Sequence, residues 1–396
     1  MKKCVSILLA ALLFLCGGIT ALASDGADSE PIELDTEVLA PNTSLEIPAK
    51  SGVLIDQTTG TVLYEKNPHE KMPPASITKI MTMLLVMEAV EGGKLKMEDT
   101  VTASAHASSM GGTQIWLKEN EQMTVEELLK ATAVASANDA AMALAEHVGG
   151  TEEGFVAMMN NKAAELGMAD TTFKNPTGLD ADGHVSSAYD IALMSRELLR
   201  HEKITEFTSI WMDSLRDGKT ELVNTNKLVR FYKGCTGLKT GTTNGAGSCV
   251  SVSATRDKLS LISVVMGCTT SKDRFAGAKS LLDYGFGNYT MYETAVSKDS
   301  LTPVRVIGGV EREVSVDTDA GGAIIIQKGK EKAVTEEVTL AEDVEAPVLK
   351  GQKLGEIKLS IDGEQIALFQ IKARDDIPKL TCFKAFGSLL YRLVTA

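Results

Sequence analysis

The chain has 396 residues, too long for one ordinary core, so two domains are expected. With 44% hydrophobic and 23% charged residues and no low-complexity tract, its composition is that of a globular protein. A net charge of −13 argues against a nucleic-acid partner.

Residues 1–23 read as a secretory signal peptide. Lys2 and Lys3 form its positive start, Val5 to Cys16 its apolar run, and Ala21-Leu22-Ala23 a cleavage site. The run is short for a bilayer span, and the cleavage site favours removal over an uncleaved anchor. Removal of the two lysines takes the charge from −13 to −15. Cys4 and Cys16 leave with the signal, so Cys235, Cys249, Cys268 and Cys382 remain. Four is too few for a disulfide-built scaffold. Cys235, Cys249 and Cys268 lie on three successive strand-like runs, which leaves a bridge between two of them open. The five histidines are scattered and no metal spacing occurs, so no metal and no cofactor are expected.

Residues 24–47 are acidic and hold Pro31 and Pro41, as in a leader or linker. Val53–Asp56 and Thr61–Tyr64 flank a turn and read as a β-hairpin. Pro73-Pro74 predict an extended approach to a helix running from about Ser76 to Gly92. Thr124 and Glu127 form a capping box for the next helix, and another starts after Ala135-Ser136-Ala137-Asn138. Helices are also expected at residues 152–167, 189–201 and 272–284. Cys235–Thr242, Cys249–Ala254 and Leu259–Met266 predict an antiparallel meander. From about residue 290 short strands follow one another: 304–306, 314–316, 323–326, 334–340, 353–359 and 365–371. In the last stretch, Leu380, Phe383, Phe386, Leu389, Leu390 and Leu393 make one apolar stripe with Lys379, Lys384 and Arg392 among them. That pattern predicts an amphipathic helix lying on a membrane surface; a helix packed on the β-strands is the alternative.

Three short motifs carry the chemistry. Ser76-x-x-Lys79 puts a hydroxyl at a helix start with an amine one turn on. A serine needs an adjacent base, and a buried lysine can be one. Ser136-x-Asn138 places polar residues between two apolar helices. Lys239-Thr240-Gly241 ends a strand. A lone Lys-Thr-Gly arises by chance ~0.1 times in such a chain, so the ordered set is far more specific than its parts.

This set resembles the penicillin-recognising serine acyl enzymes, and within them the D-alanyl-D-alanine carboxypeptidases of the peptidase S11 family. The resemblance covers nearly the whole mature chain and includes Asn175-Pro176-Thr177-Gly178-Leu179 and Tyr189-Asp190. It implies an α+β fold. A β-lactamase/transpeptidase-like domain (48–287), an antiparallel sheet flanked by helices, is followed by a small all-β domain (288–375) and an amphipathic anchor helix (376–396). It implies a peptidoglycan stem peptide ending in D-Ala-D-Ala as substrate, and β-lactams as inhibitors. Ser76 would form the acyl-enzyme and Lys79 would be its base. Ser136 would relay a proton to the leaving amine, and Asn138 would bond Lys79 and the substrate amide. Lys239, Thr240 and Thr242 would hold the substrate carboxylate, and Gly241 would admit its backbone. The N–H groups of Ser76 and Thr242 would form the oxyanion hole. Some relatives carry histidine where Thr242 stands. Two other readings are a secreted serine β-lactamase and a non-catalytic wall-binding protein. The first lacks a Glu-x-x-Leu-Asn pattern in residues 139–238; the second would not need the intact motif set.

Overall fold

The computed structural model describes residues 45–296, 301–318 and 323–381, with the backbone of 33–34. The expected signal peptide, most of the leader, Cys382 and the rest of the C-terminal stripe lie outside the described residues. The leader's end is packed, because Ile47 is buried in one cluster with Leu54 and Leu281.

Five antiparallel strands form the central sheet. β1 (Ser51–Asp56) and β2 (Val62–Lys66) are the expected hairpin. β3 (Cys235–Thr243), β4 (Gly247–Arg256) and β5 (Leu259–Cys268) are the expected meander. The order is β2-β1-β5-β4-β3, so β1 pairs with β5 and β3 is an edge. Side chains alternate across a strand. Val53, Ile55, Ile262 and Val264 face one apolar cluster, whereas Leu54, Leu261 and Val265 face the other. Both faces are covered, which is why these strands read as continuous apolar runs.

Helix α1 (Lys79–Glu91) is buried on all sides from Lys79 to Met87, as a helix without a polar face must be. Thr124 and Glu127 form the expected capping box of α2 (Val125–Val134). α3 (Asn138–Gly149), α4 (Glu152–Glu165) and α5 (Ala188–Leu198) pack on the same side. α6 (Ser271–Asn288) closes the other face through Leu281 and Leu282. A hairpin not anticipated from the sequence, Met212–Leu215 with Thr220–Val223, precedes β3.

Beyond α6 the described chain is almost all strand. Lys353–Ile361 and Glu364–Ala373 form a hairpin about Asp362-Gly363, both at positive φ as such a tight turn requires. Val334–Leu340 pairs beside it, over a core of Ile357, Leu359, Phe369 and Ile371. The run 314–316, expected as one strand, breaks at Ser315: Val314 pairs with Val304 and Val316 with Ala373. Tyr289–Glu293 was not anticipated and pairs with Ala323–Gln327; only its first residue is buried, so it lacks alternation.

One expectation is corrected. Ile377 and Lys379, assigned to the terminal helix, are extended and bridge to Val348 and Gly309. Pro378 between them has no N–H for a helix, and its carbonyl accepts from Val310. The three described cysteines are free thiols. Cys249 lies on the opposite face from Cys235 and Cys268. Cys235 opposes Ala254 while Cys268 opposes Ser248, about 20 Å along the strand, far beyond disulfide reach. Burial pushes the Cys235 thiol up to about 11 and that of Cys268 to about 12.

Candidate active site

The approach to Ser76 is not extended. Pro74 is in the right-handed region, Ala75 takes φ 49, and Ala75–Thr78 forms a 3-10 turn that opens into α1. Three neighbours impose that turn. Gly178 has φ 81, and a Cβ there would stand 1.8 Å from Ala75 O. A Cβ on Gly241 would stand 2.9 Å from Pro74 O and 3.1 Å from Ser76 N. Gly241 is thus needed for β3 to pass against the Ser76 turn itself, besides the approach of substrate expected from the sequence. His184 Nε2 lies 2.8 Å from Thr78 Oγ1. Lys174 N donates to His184 Nδ1, which places the ring proton on Nε2 for donation to Thr78. Burial lowers His184 to about 4, so the ring is neutral.

Lys79 is fully buried, and its Nζ has three neighbours: Ser76 Oγ at 3.1 Å, Asn138 Oδ1 at 2.6 Å and Thr177 O at 2.7 Å. Burial holds the amine well below the ordinary lysine value; Lys239 adds to this and Asp139 opposes it. An ammonium donates to all three oxygens. A neutral amine has two N–H bonds and one lone pair, and the two carbonyl oxygens can only accept. The lone pair then faces the Ser76 hydroxyl, the arrangement in which a serine can be deprotonated.

Asn138 heads α3. Its N–H donates to Thr113 O at 2.7 Å, and its Nδ2 to Gly111 O at 2.6 Å. The expected bond to Lys79 is present, while one of its two amide donors is held by Gly111. Ser136 lies between α2 and α3 at φ 65, nearly buried, and breaks one helix from the next.

β3 supplies the other wall. Lys239 is fully buried, and burial with the nearby Arg274 charge lowers it to about 7. Thr240 Oγ1 donates to Thr225 Oγ1 at 2.8 Å. Thr242 Oγ1 donates to Gly241 O at 2.8 Å and accepts from Arg274 Nη1 at 2.7 Å; Nη1 also reaches Gly241 O at 2.9 Å. Arg274 and Thr225 lie in no motif and are not expected from the sequence. Arg274 did leave a signal: it sits in the first turn of α6, where the helix dipole disfavours a cation unless something else holds it. The cleft thus joins a hydroxyl beside a buried amine to a cationic, hydroxyl-lined end. That pairing suits acyl transfer at a bond next to a free carboxylate, the property of penicillin-recognising serine enzymes.

The comparisons agree. The family description D-alanyl-D-alanine carboxypeptidase (peptidase S11) matches residues 36–270, and the penicillin-binding protein 5 C-terminal domain matches residues 289–379. The chain is 47% identical over 335 residues to the D-alanyl-D-alanine carboxypeptidase DacF of Bacillus subtilis, covering 84% of this chain and 86% of that one. It is 35% identical over 328 residues to DacC of Escherichia coli, covering 81% and 82%. The crystal structure of penicillin binding protein 5 from Haemophilus influenzae superposes with a TM-score of 0.78 at 32% identity, over 86% of this chain and all of that one. Penicillin-binding protein D2 of Listeria monocytogenes, solved in an ampicillin-bound form, matches 62% of this chain at 34% identity and a TM-score of 0.54. The chain belongs to the peptidase S11 family of D-alanyl-D-alanine carboxypeptidases and is a serine carboxypeptidase of the penicillin-binding type.

Proposed function

We propose that this enzyme removes the terminal D-alanine from peptidoglycan stem peptides through an acyl-enzyme on Ser76. The observation that carries the reading is the triple contact of Lys79 Nζ. The substrate carboxylate lies against Lys239, Thr240, Thr242 and Arg274. Lys79 takes the Ser76 proton as Oγ bonds to the scissile carbonyl carbon. The oxyanion meets the N–H groups of Ser76 and Thr242, donors worth about 10²–10³-fold each. The tetrahedral intermediate then collapses, and the C–N bond breaks. The leaving amine takes the proton from Lys79 by way of Ser136, and D-alanine departs. Asn138 holds Lys79 in place. Water hydrolyses the ester to free Ser76. A β-lactamase is not favoured: among the described residues no glutamate bonds Ser76 or Lys79 to activate deacylating water. The purified chain is expected to release D-alanine from diacetyl-Lys-D-Ala-D-Ala, with a loss of about 10³-fold or more in Ser76→Ala. Retained activity in that variant would overturn the assignment.

The reading extends to placement. Residues 1–23 export the chain, 48–287 are the catalytic domain, 288–375 the β domain, and a helix within the last residues rests on the outer face of the cytoplasmic membrane. This rests on the sequence pattern, and among the described residues no helix is long and apolar enough to cross a membrane. A chain ending at Thr381, which keeps the bridges of Ile377 and Lys379 to the β domain, should stay active on small peptides and no longer sediment with anionic vesicles; sedimentation equal to the full chain would refute the anchor.

A further inference from the structure

The loop that begins at Gly111 carries a residue the proposed mechanism does not use. Trp116 is 76% exposed and has φ 60, a rare conformation for a bulky side chain. Its neighbours Ile115 and Leu117 are buried. Hydrophobic burial alone would not put the largest aromatic outside and its two aliphatic neighbours inside. The arrangement is imposed by Asp139, which is fully buried and accepts from Ile115 N at 3.2 Å and from Leu117 N at 2.9 Å. Residues held in sparsely populated backbone conformations cluster at functional sites. The same loop is tied to the catalytic cleft, since Gly111 O and Thr113 O accept from Asn138, the partner of Lys79.

Facing the loop is the tip of the Met212–Val223 hairpin. Arg216 donates from Nη1 to Ile115 O at 2.9 Å and from Nε to Glu121 at 2.6 Å, fixing the hairpin to the loop. A cavity of about 670 Å³ opens there, lined by Trp116, Lys118, Asn120, Lys219 and Thr220. It is larger than one amino-acid side chain requires. One aromatic face ringed by hydrogen-bonding groups suits a pyranose, whose C–H face is apolar and whose rim is hydroxyl and amide.

We infer that this cavity is a subsite for an N-acetylated sugar ring of the peptidoglycan glycan, with Trp116 as its stacking platform. The inference rests on the carboxypeptidase reading, because it takes the sugar end of the substrate whose peptide end enters the cleft. The loop that carries Trp116 is bonded to the cleft wall through Asn138 and Asp139.

The test compares wild type, Trp116→Ala and Trp116→Phe on three substrates: a disaccharide-pentapeptide, the same pentapeptide without sugars, and diacetyl-Lys-D-Ala-D-Ala. With Trp116→Ala, kcat/KM on the disaccharide-pentapeptide should fall roughly 10-fold more than on the other two, the equivalent of one aromatic contact, and the loss should lie in KM. Trp116→Phe should recover most of it. Labelling of Ser76 by penicillin reports that each variant is folded. An equal loss on all three substrates would overturn the subsite, since it would mark a structural role. A loss as large on the sugar-free pentapeptide as on the disaccharide form would also overturn it, in favour of a peptide contact. Wild type inactive on all three would instead overturn the carboxypeptidase reading, and the subsite with it.

Discussion

Lys79→Ala is expected to lower the rate of acylation by about 10²–10⁴-fold, the usual contribution of a positioned general base. Lys79→Arg should be no better, because a guanidinium is protonated at every working pH. The pH profile gives the sign. In the proposed mechanism Lys79 acts as the neutral amine, and burial holds it well below the ordinary lysine value. Acylation should therefore rise with pH through the Lys79 titration, and that limb should vanish in Lys79→Ala. Lys239 acts in the opposite sense. Burial and the nearby Arg274 charge lower it to about 7, so its ammonium is favoured below that pH and lost above it. The value of kcat/KM for peptides with a free carboxylate should fall as pH climbs through about 7. The fall should be partial, because Arg274 stays charged. Stopped-flow acylation and kcat/KM between about pH 5 and 10 measure both limbs. A rising limb unchanged in Lys79→Ala would refute its role as base.

Arg274→Ala is expected to cut kcat/KM on diacetyl-Lys-D-Ala-D-Ala by about 10²-fold or more, since it removes one charge from a buried anion site. Nη1 is already committed to Thr242 Oγ1 and Gly241 O. The residue thus both holds the edge strand and charges the end of the cleft. A substrate ending in D-alaninamide separates these roles, for it carries no carboxylate. The loss should be much smaller on the amide, and Arg274→Lys should recover part of the activity on the free acid. Equal losses on acid and amide would show that Arg274 only supports β3.

The features legible in the sequence are those whose cause is local. The Thr124–Glu127 capping box, the β1–β2 hairpin and the β3–β5 meander are written in neighbouring residues. The three motifs were legible because each is short and their order is specific, and the structure joins Ser76, Lys79 and Asn138 by direct contacts. What was missed depends on partners far along the chain. Arg274 reaches Thr242 only through the register of β3 and the seating of α6. Gly241 is explained by the backbone of Pro74 and Ser76, which no pattern around Lys-Thr-Gly reveals. The carbonyls of Gly111, Thr113 and Thr177 act through backbone oxygens that every residue carries. At the other end, the apolar spacing from residue 377 suggested a helix. Pro378 and bridges to Val348 and Gly309 hold its first residues extended instead.

The central claim is that Ser76 is the acylated residue. The direct measurement is to react the full chain with labelled benzylpenicillin, digest it, and locate the adduct by peptide mass spectrometry. The account predicts one adduct, on the peptide carrying Ser76 and absent in Ser76→Ala, and long-lived because among the described residues no glutamate bonds Ser76 or Lys79. An adduct on any other serine, or label retained in Ser76→Ala, would contradict it.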